Sequence, residues 1–174
     1  YKGAMVFSHH LNEILFSRKG KDIMNGFINN SPCKACGGKC CKGMGCHLSP
    51  EDIKTQITYE TLKELLQTGN YSIDWWVNYE VEGKYPVNGY FLRMRNKDAK
   101  IVDPSWGGKC ALLTENGCPL KFEERPKGGR MLEAKEDFKC VQHYNKEECA
   151  DDWFKYYVIL NQLVTDYYEG KIAV

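Results

Sequence analysis

The chain has 174 residues, nine of them cysteine, and 24 Lys and Arg against 23 Asp and Glu give a formal net charge of +1. That length suits one domain, and 43% apolar content is enough for a core and excludes wholesale disorder. The balanced charge excludes a global field that would gather nucleic acid or anionic membrane. No apolar run reaches the roughly 18–20 residues of a membrane span.

Residues 1–4 precede Met5; Gly3-Ala4 reads as a cloning remnant and Met5 as the native start, with no secretory leader. Over residues 5–16 the apolar side chains of Val6, Leu11, Ile14 and Leu15 fit one face of a helix. Residues 31–47, opened by Ser31-Pro32 and carrying Gly37, Gly38, Gly43 and Gly45, read as a glycine-loosened loop. Ser49-Pro50-Glu51-Asp52 has the form of a helix start: a capping serine, a first-turn proline and two acids near the positive helix end. A second start at Thr58 runs through Leu62, Leu65 and Leu66 to a stop at Gly69.

The period then changes. Residues 71–79 are aromatic and β-branched, residues 89–95 alternate apolar with basic, and Ile101-Val102 follows. These predict two or three short antiparallel strands, joined by a turn over 82–86. Residues 106–140 are loop-rich. From 147 to about 169 a helix is expected, with Ala150, Trp153, Tyr157, Leu160, Val164 and Tyr168 on one face. The fold class expected is therefore α+β, one small domain over 1–174 with helices packed on a short antiparallel sheet and long loops converging on a cysteine-ligated metal site.

Five cysteines crowd into Cys33-x2-Cys36-x3-Cys40-Cys41-x4-Cys46. Bridges stabilise most when they close long loops, so this crowding points to a metal in a reducing, cytoplasmic setting. A C-x2-C turn brings two thiolates onto one ion, whose Zn–S bonds of about 2.3 Å set the sulfurs roughly 3.8 Å apart. Gly37 and Gly38 permit the tight backbone, and Lys34, Lys39 and Lys42 lie close in sequence to offset thiolate charge. Neighbouring side chains diverge, so Cys40-Cys41 suits two ions, or two corners of a cluster, better than one mononuclear site. Cys110 and Cys118 flank an Asn116-Gly117 turn that folds them together, and Cys140 follows. Cys149, at the start of an amphipathic helix, reads as a core thiol.

Cys33-x2-Cys36-x3-Cys40-Cys41, then Leu48-Ser49-Pro50-Glu51-Asp52-Ile53, the block from Gly108 to Leu120 with Cys110, Gly117 and Cys118, and Glu124-Arg125-Pro126 together resemble the YkgJ-type cysteine-cluster family of zinc- or iron-chelating proteins. The resemblance reaches from about Cys33 to Cys140. The family includes flagellin lysine N-methylases, but the chain has no glycine-rich strand–turn–helix to hold S-adenosylmethionine, so methylation does not carry over on the cluster alone. In the pattern of many members a cysteine follows the Arg-Pro by three residues; here that position is Gly129, and Cys140 is the expected replacement.

The ligand set expected is Cys33, Cys36, Cys40, Cys41, Cys46, Cys110, Cys118 and Cys140, holding zinc or iron as two mononuclear four-thiolate sites or as an iron–sulfur cluster with a second site. The function expected is metal binding, with an iron–sulfur-dependent protein-modifying enzyme of methylase type as the alternative and a zinc-ribbon-like nucleic-acid binder as the weaker one. Partners are the metal ion and a protein substrate or partner. Nucleic acid is disfavoured: Arg93, Arg95, Lys97, Lys100 and Lys109 with Trp75, Trp76 and Trp106 read as a solvated strand face over an aromatic core. His47 reads as a solvated loop histidine, His9-His10 and His143 as uninvolved, and Arg125 as an ion-paired loop anchor beside Glu123 and Glu124.

Overall fold

The computed structural model describes residues 31–79, 86–95, 100–104, 108–115 and 117–173. The helix expected over 5–16, with His9-His10, and most of the turn at 82–86 lie outside the described residues, as do Lys97 and Trp106. In chain order come α1 (Ser31–Cys36), α2 (Lys39–Gly43), the two-residue strand β1 (Cys46–His47), a 3-10 turn at Pro50–Asp52, α3 (Tyr59–Gln67), β2 (Tyr71–Tyr79) and β3 (Val87–Met94). A second 3-10 turn (Phe122–Glu124) leads to α4 (Lys127–Arg130), the short strands β4 (Leu132–Glu133) and β5 (Val141–Gln142), α5 (Lys146–Trp153), a third 3-10 turn (Phe154–Tyr156) and α6 (Tyr157–Tyr168). The fold is α+β, with antiparallel sheets ordered β1-β3-β2 and β4-β5.

The glycine-rich stretch is not the single loop its composition suggests, because its glycines punctuate two short helices and a strand. Ser49 and Asp52 do cap a turn, Ser49 N–H donating to the Asp52 carboxylate at 2.8 Å, but it stays one 3-10 turn long. Thr58 caps α3 as expected, its hydroxyl accepting from Thr61 N–H at 3.2 Å, and Gly69 stops it at φ 72°. The β2–β3 ladder sets Tyr71 opposite Met94 and Ile73 opposite Leu92. Val102 makes a parallel bridge to Ile73 rather than an antiparallel one. The expected long C-terminal helix is broken by the 3-10 turn at Phe154–Tyr156. That turn shifts the phase, so Trp153 and Leu160 are fully buried while Tyr168 is 66% exposed.

Leu62, Leu66, Ile73, Phe91, Leu92, Ile101, Trp153, Leu160 and Leu163 form the fully buried heart of the core. β3 is buried on both faces from Gly89 onward, which corrects the expectation for its arginines. Arg93 is fully buried, pairing with Asp74 at 3.1 Å, and Lys146 reaches the same carboxylate at 3.0 Å. Arg95 pairs with Asp103 at 2.7 Å. Among the described residues no helix is long and apolar enough to cross a membrane.

Candidate metal centre

Gly37 and Gly38, at φ 68° and 70°, end α1 and turn the chain into α2 through a backbone conformation that a side chain would strain. Gly38 N–H donates to the Cys33 carbonyl at 3.1 Å, closing the turn. Cys33 and Cys36 therefore stand about one helical turn apart, and Cys40 and Cys41 enter beside them on α2. Successive helix residues point about 100° apart, so the adjacent pair looks two ways.

Cys40 looks toward Cys140. Its thiol is pushed up first by burial, then by Cys140 and Cys36. Cys33 is raised by burial and then by Cys36, Cys140 and Cys40, with the Arg125 guanidinium opposing. These four thiols, Cys33, Cys36, Cys40 and Cys140, form an outer quartet, each half-buried.

Cys41 looks the other way. Burial pushes its thiol up to about 12, with Cys110 and Cys118 the next largest causes. Burial lifts Cys46 well above its ordinary value, followed by Cys110, Cys41, Asp52 and Cys118. Cys110, at about 11, is raised by burial and by Cys118, against the easing hydrogen bond from Leu112 N–H. Cys41, Cys46, Cys110 and Cys118 form an inner quartet. Cys110 belongs to the core and Cys41 and Cys46 pack against it.

The inner quartet has a firm footing. Cys110 N–H donates to the Cys41 carbonyl at 2.7 Å, Thr114 and Gly117 bridge to fold Cys118 back beside Cys110, and Cys46 pairs with Met94 in the sheet. Arg93 reaches across to the Met44 carbonyl at 3.2 Å and fixes the turn between α2 and β1. Asp52 ties α4 down by accepting from Lys127 N–H at 2.9 Å. Gly128 lets α4 lie on β1: a Cβ there would stand 2.6 Å from the His47 carbonyl oxygen.

Six of the eight thiols, Cys33, Cys40, Cys41, Cys46, Cys110 and Cys118, line one cavity with Arg125, His47 and the apolar side chains of Met44, Leu112, Leu113 and Leu132. His47 corrects its expectation, being buried rather than solvated. Its Nδ1–H donates to the Tyr144 carbonyl at 3.2 Å, its ring meets Phe91 edge-on, and burial lowers its pKa. Arg125 anchors its loop through the Leu120 carbonyl at 3.3 Å and turns its charge toward Cys33. His143 is exposed against Glu133, and Cys149 is a fully buried core thiol that donates to the Leu48 carbonyl at 3.2 Å. The thiol beside position 129 is that of Cys46, whose sulfur lies 3.7 Å from where a Cβ would stand.

The family model that matches the sequence is CxxCxxCC, putative zinc- or iron-chelating domain, over residues 32–151. The chain belongs to this family. No curated protein and no solved structure matches it. The CxxCxxCC match covers all eight candidate cysteines, and the donor chemistry fits a zinc- or iron-chelating domain: all nine cysteines are free thiols, and six of them line one cavity. They are neighbours without being posed around a point. Among the described residues no three Cys, His, Asp or Glu side chains stand ready as a ligand set. Cys36 and Cys46 instead turn their sulfurs to the carbonyls of Cys33 and His47, at 3.5 and 3.7 Å. Holding an ion on four of these thiols would take rotation about Cα–Cβ and displacement of the thiol protons to solvent.

Proposed function

We propose that the protein is a single-domain, cytoplasmic metal-binding protein that holds two mononuclear ions on four thiolates each, zinc by preference. Cys33, Cys36, Cys40 and Cys140 would hold one ion, and Cys41, Cys46, Cys110 and Cys118 the other. The observation that carries this reading is the gathering of Cys33, Cys40, Cys41, Cys46, Cys110 and Cys118 around one cavity, with adjacent Cys40 and Cys41 on a helix where neighbours point about 100° apart. Bound there, the ions supply charge neutralisation and cross-links between segments distant in sequence. The nucleic-acid alternative loses support with Arg93 and Arg95 buried in ion pairs.

Metal analysis with a visible spectrum on anaerobically purified protein tests the proposal. The expected result is a colourless protein with two zinc ions per chain. A brown protein with broad visible absorbance would replace it with the iron–sulfur reading, and neither zinc nor iron would end both.

A further inference from the structure

Arg95 stands one residue past β3, next to Met94, the strand partner of Cys46, and it is 5% exposed. Its side chain runs past three segments. Along its stem lies the turn into β1: a Cβ at Gly45 would stand 3.3 Å from the Arg95 Cγ, 3.4 Å from the Arg93 Cγ and 2.4 Å from the Met94 carbonyl oxygen. At its head, Nη1 pairs with the Asp103 carboxylate at 2.7 Å and donates to the Asp103 carbonyl at 3.1 Å. Arg93 Nη2 donates to that carbonyl too, at 3.3 Å. Another edge of the Arg95 guanidinium faces Gly108. A Cβ there would lie 2.4 Å from Nη2 and 2.5 Å from Nε, so the fork fills the space that a side chain at 108 would need. Gly108 sits at φ 120°, a conformation that strains other residues. Two residues later, Cys110 N–H donates to the Cys41 carbonyl at 2.7 Å.

Resting on the metal-binding reading, we infer that Arg95 is a positioning residue for the metal centre: one guanidinium sets the spacing between the turn that carries Cys46 and the segment that carries Cys110. Both thiols line the same cavity. Arg95 acts through the backbone on which these cysteines stand, at Gly45 and Gly108, each one residue or two ahead of its cysteine. The planar fork suits this role, because it keeps the Nη1 side on Asp103 and the Nε–Nη2 edge on Gly108 at a fixed angle. A lysine in its place is a point charge on a flexible stem; it can pair with Asp103 but has no second edge to hold the 108–110 segment at its distance. The two glycines are the counterpart of the arginine, each giving it room where a side chain would not.

The test uses the full chain, with zinc affinity measured by chelator competition and cobalt(II) loaded in place of zinc for its visible bands, which report the number and geometry of thiolate ligands. Arg95→Lys should lower zinc affinity by about 10–100-fold, the scale found when partners behind metal ligands are changed. It should also shift the cobalt bands while the thermal midpoint of the metal-free chain stays close to that of the unaltered protein. Gly108→Ala pushes the fork aside from the other partner, so it should shift the bands in the same way and, added to Arg95→Lys, change them little further. Unaltered affinity and bands in Arg95→Lys would overturn the inference, and so would a lowered midpoint with unaltered bands, which marks a pair that only holds the fold. If Arg95→Lys does not fold, Gly108→Ala decides alone: unaltered affinity and bands there overturn the inference while leaving the metal-binding reading standing. A chain that takes up neither zinc, cobalt nor iron removes that reading, and this inference with it.

Discussion

Six of the eight thiols share one cavity, yet the backbone behind the two groups differs. The inner four are carried by a sheet strand, a bridged turn and a helix residue whose carbonyl is bonded across to Cys110. The outer four hang from two short helices and an exposed loop. The difference lies in what the backbone behind each thiol is attached to, and an ion bound by core-braced thiols would add its binding free energy to the fold.

The sharpest way to break this contrast is to remove the bracing from behind. Asp74 is fully buried and compensates both Arg93 and Lys146, and Arg93 holds the Met44 carbonyl. Asp74→Asn should cost about 3–5 kcal/mol, because it leaves buried cations uncompensated. Urea unfolding measures this. A loss below about 1 kcal/mol, the scale of a surface pair, would mean that the ion cluster does not brace the inner centre.

Two glycines sharpen the contrast at a middle scale. Gly128→Ala drives a Cβ to 2.6 Å from the His47 carbonyl oxygen and 2.9 Å from its nitrogen. Backbone on both sides cannot yield cheaply, so a loss of about 1–3 kcal/mol is expected. Gly43→Ala, in α2, meets nothing within 4 Å and should be neutral or stabilising by up to about 1 kcal/mol. Thermal melts of the pair should therefore shift in opposite directions, and equal shifts would erase the distinction in footing. The smallest effect belongs to the loop. Phe138 is held at φ 60°. Phe138→Asn, which tolerates the left-handed region better, should gain about 1 kcal/mol in urea unfolding; no gain would mean that the backbone at 138 carries no strain.

How far the sequence discloses this arrangement depends on whether the signal is local. The cap at Thr58, the stop at Gly69 and the strands expected over 71–79 and 89–95 follow from neighbouring residues, and the structure has them, the second strand as Val87–Met94. The spacing at Cys40-Cys41 likewise announces two directions before any coordinates. What escapes is pairing across the chain. Arg93 and Arg95 alternate with apolar residues just as a solvated strand face would, and their burial depends on Asp74, Asp103 and Lys146, each elsewhere in sequence. His47 is buried because Tyr144, almost a hundred residues later, offers it a carbonyl. The division of the later cysteines, Cys110 and Cys118 inward and Cys140 outward, has no counterpart in spacing, because it is decided by which loop reaches which face of α2.

Cys149 adds a practical consequence. Its sulfur is sealed in the core and shares the Leu48 carbonyl with the Trp153 indole N–H, at 3.2 and 2.6 Å. An alkylating reagent can reach it only when the core opens, whereas the other eight thiols, on the two-ion proposal, become reactive when the ions leave. Mass spectrometry of a labelling time course would then carry two clocks in one spectrum: the first eight additions would time metal departure, and the ninth global unfolding.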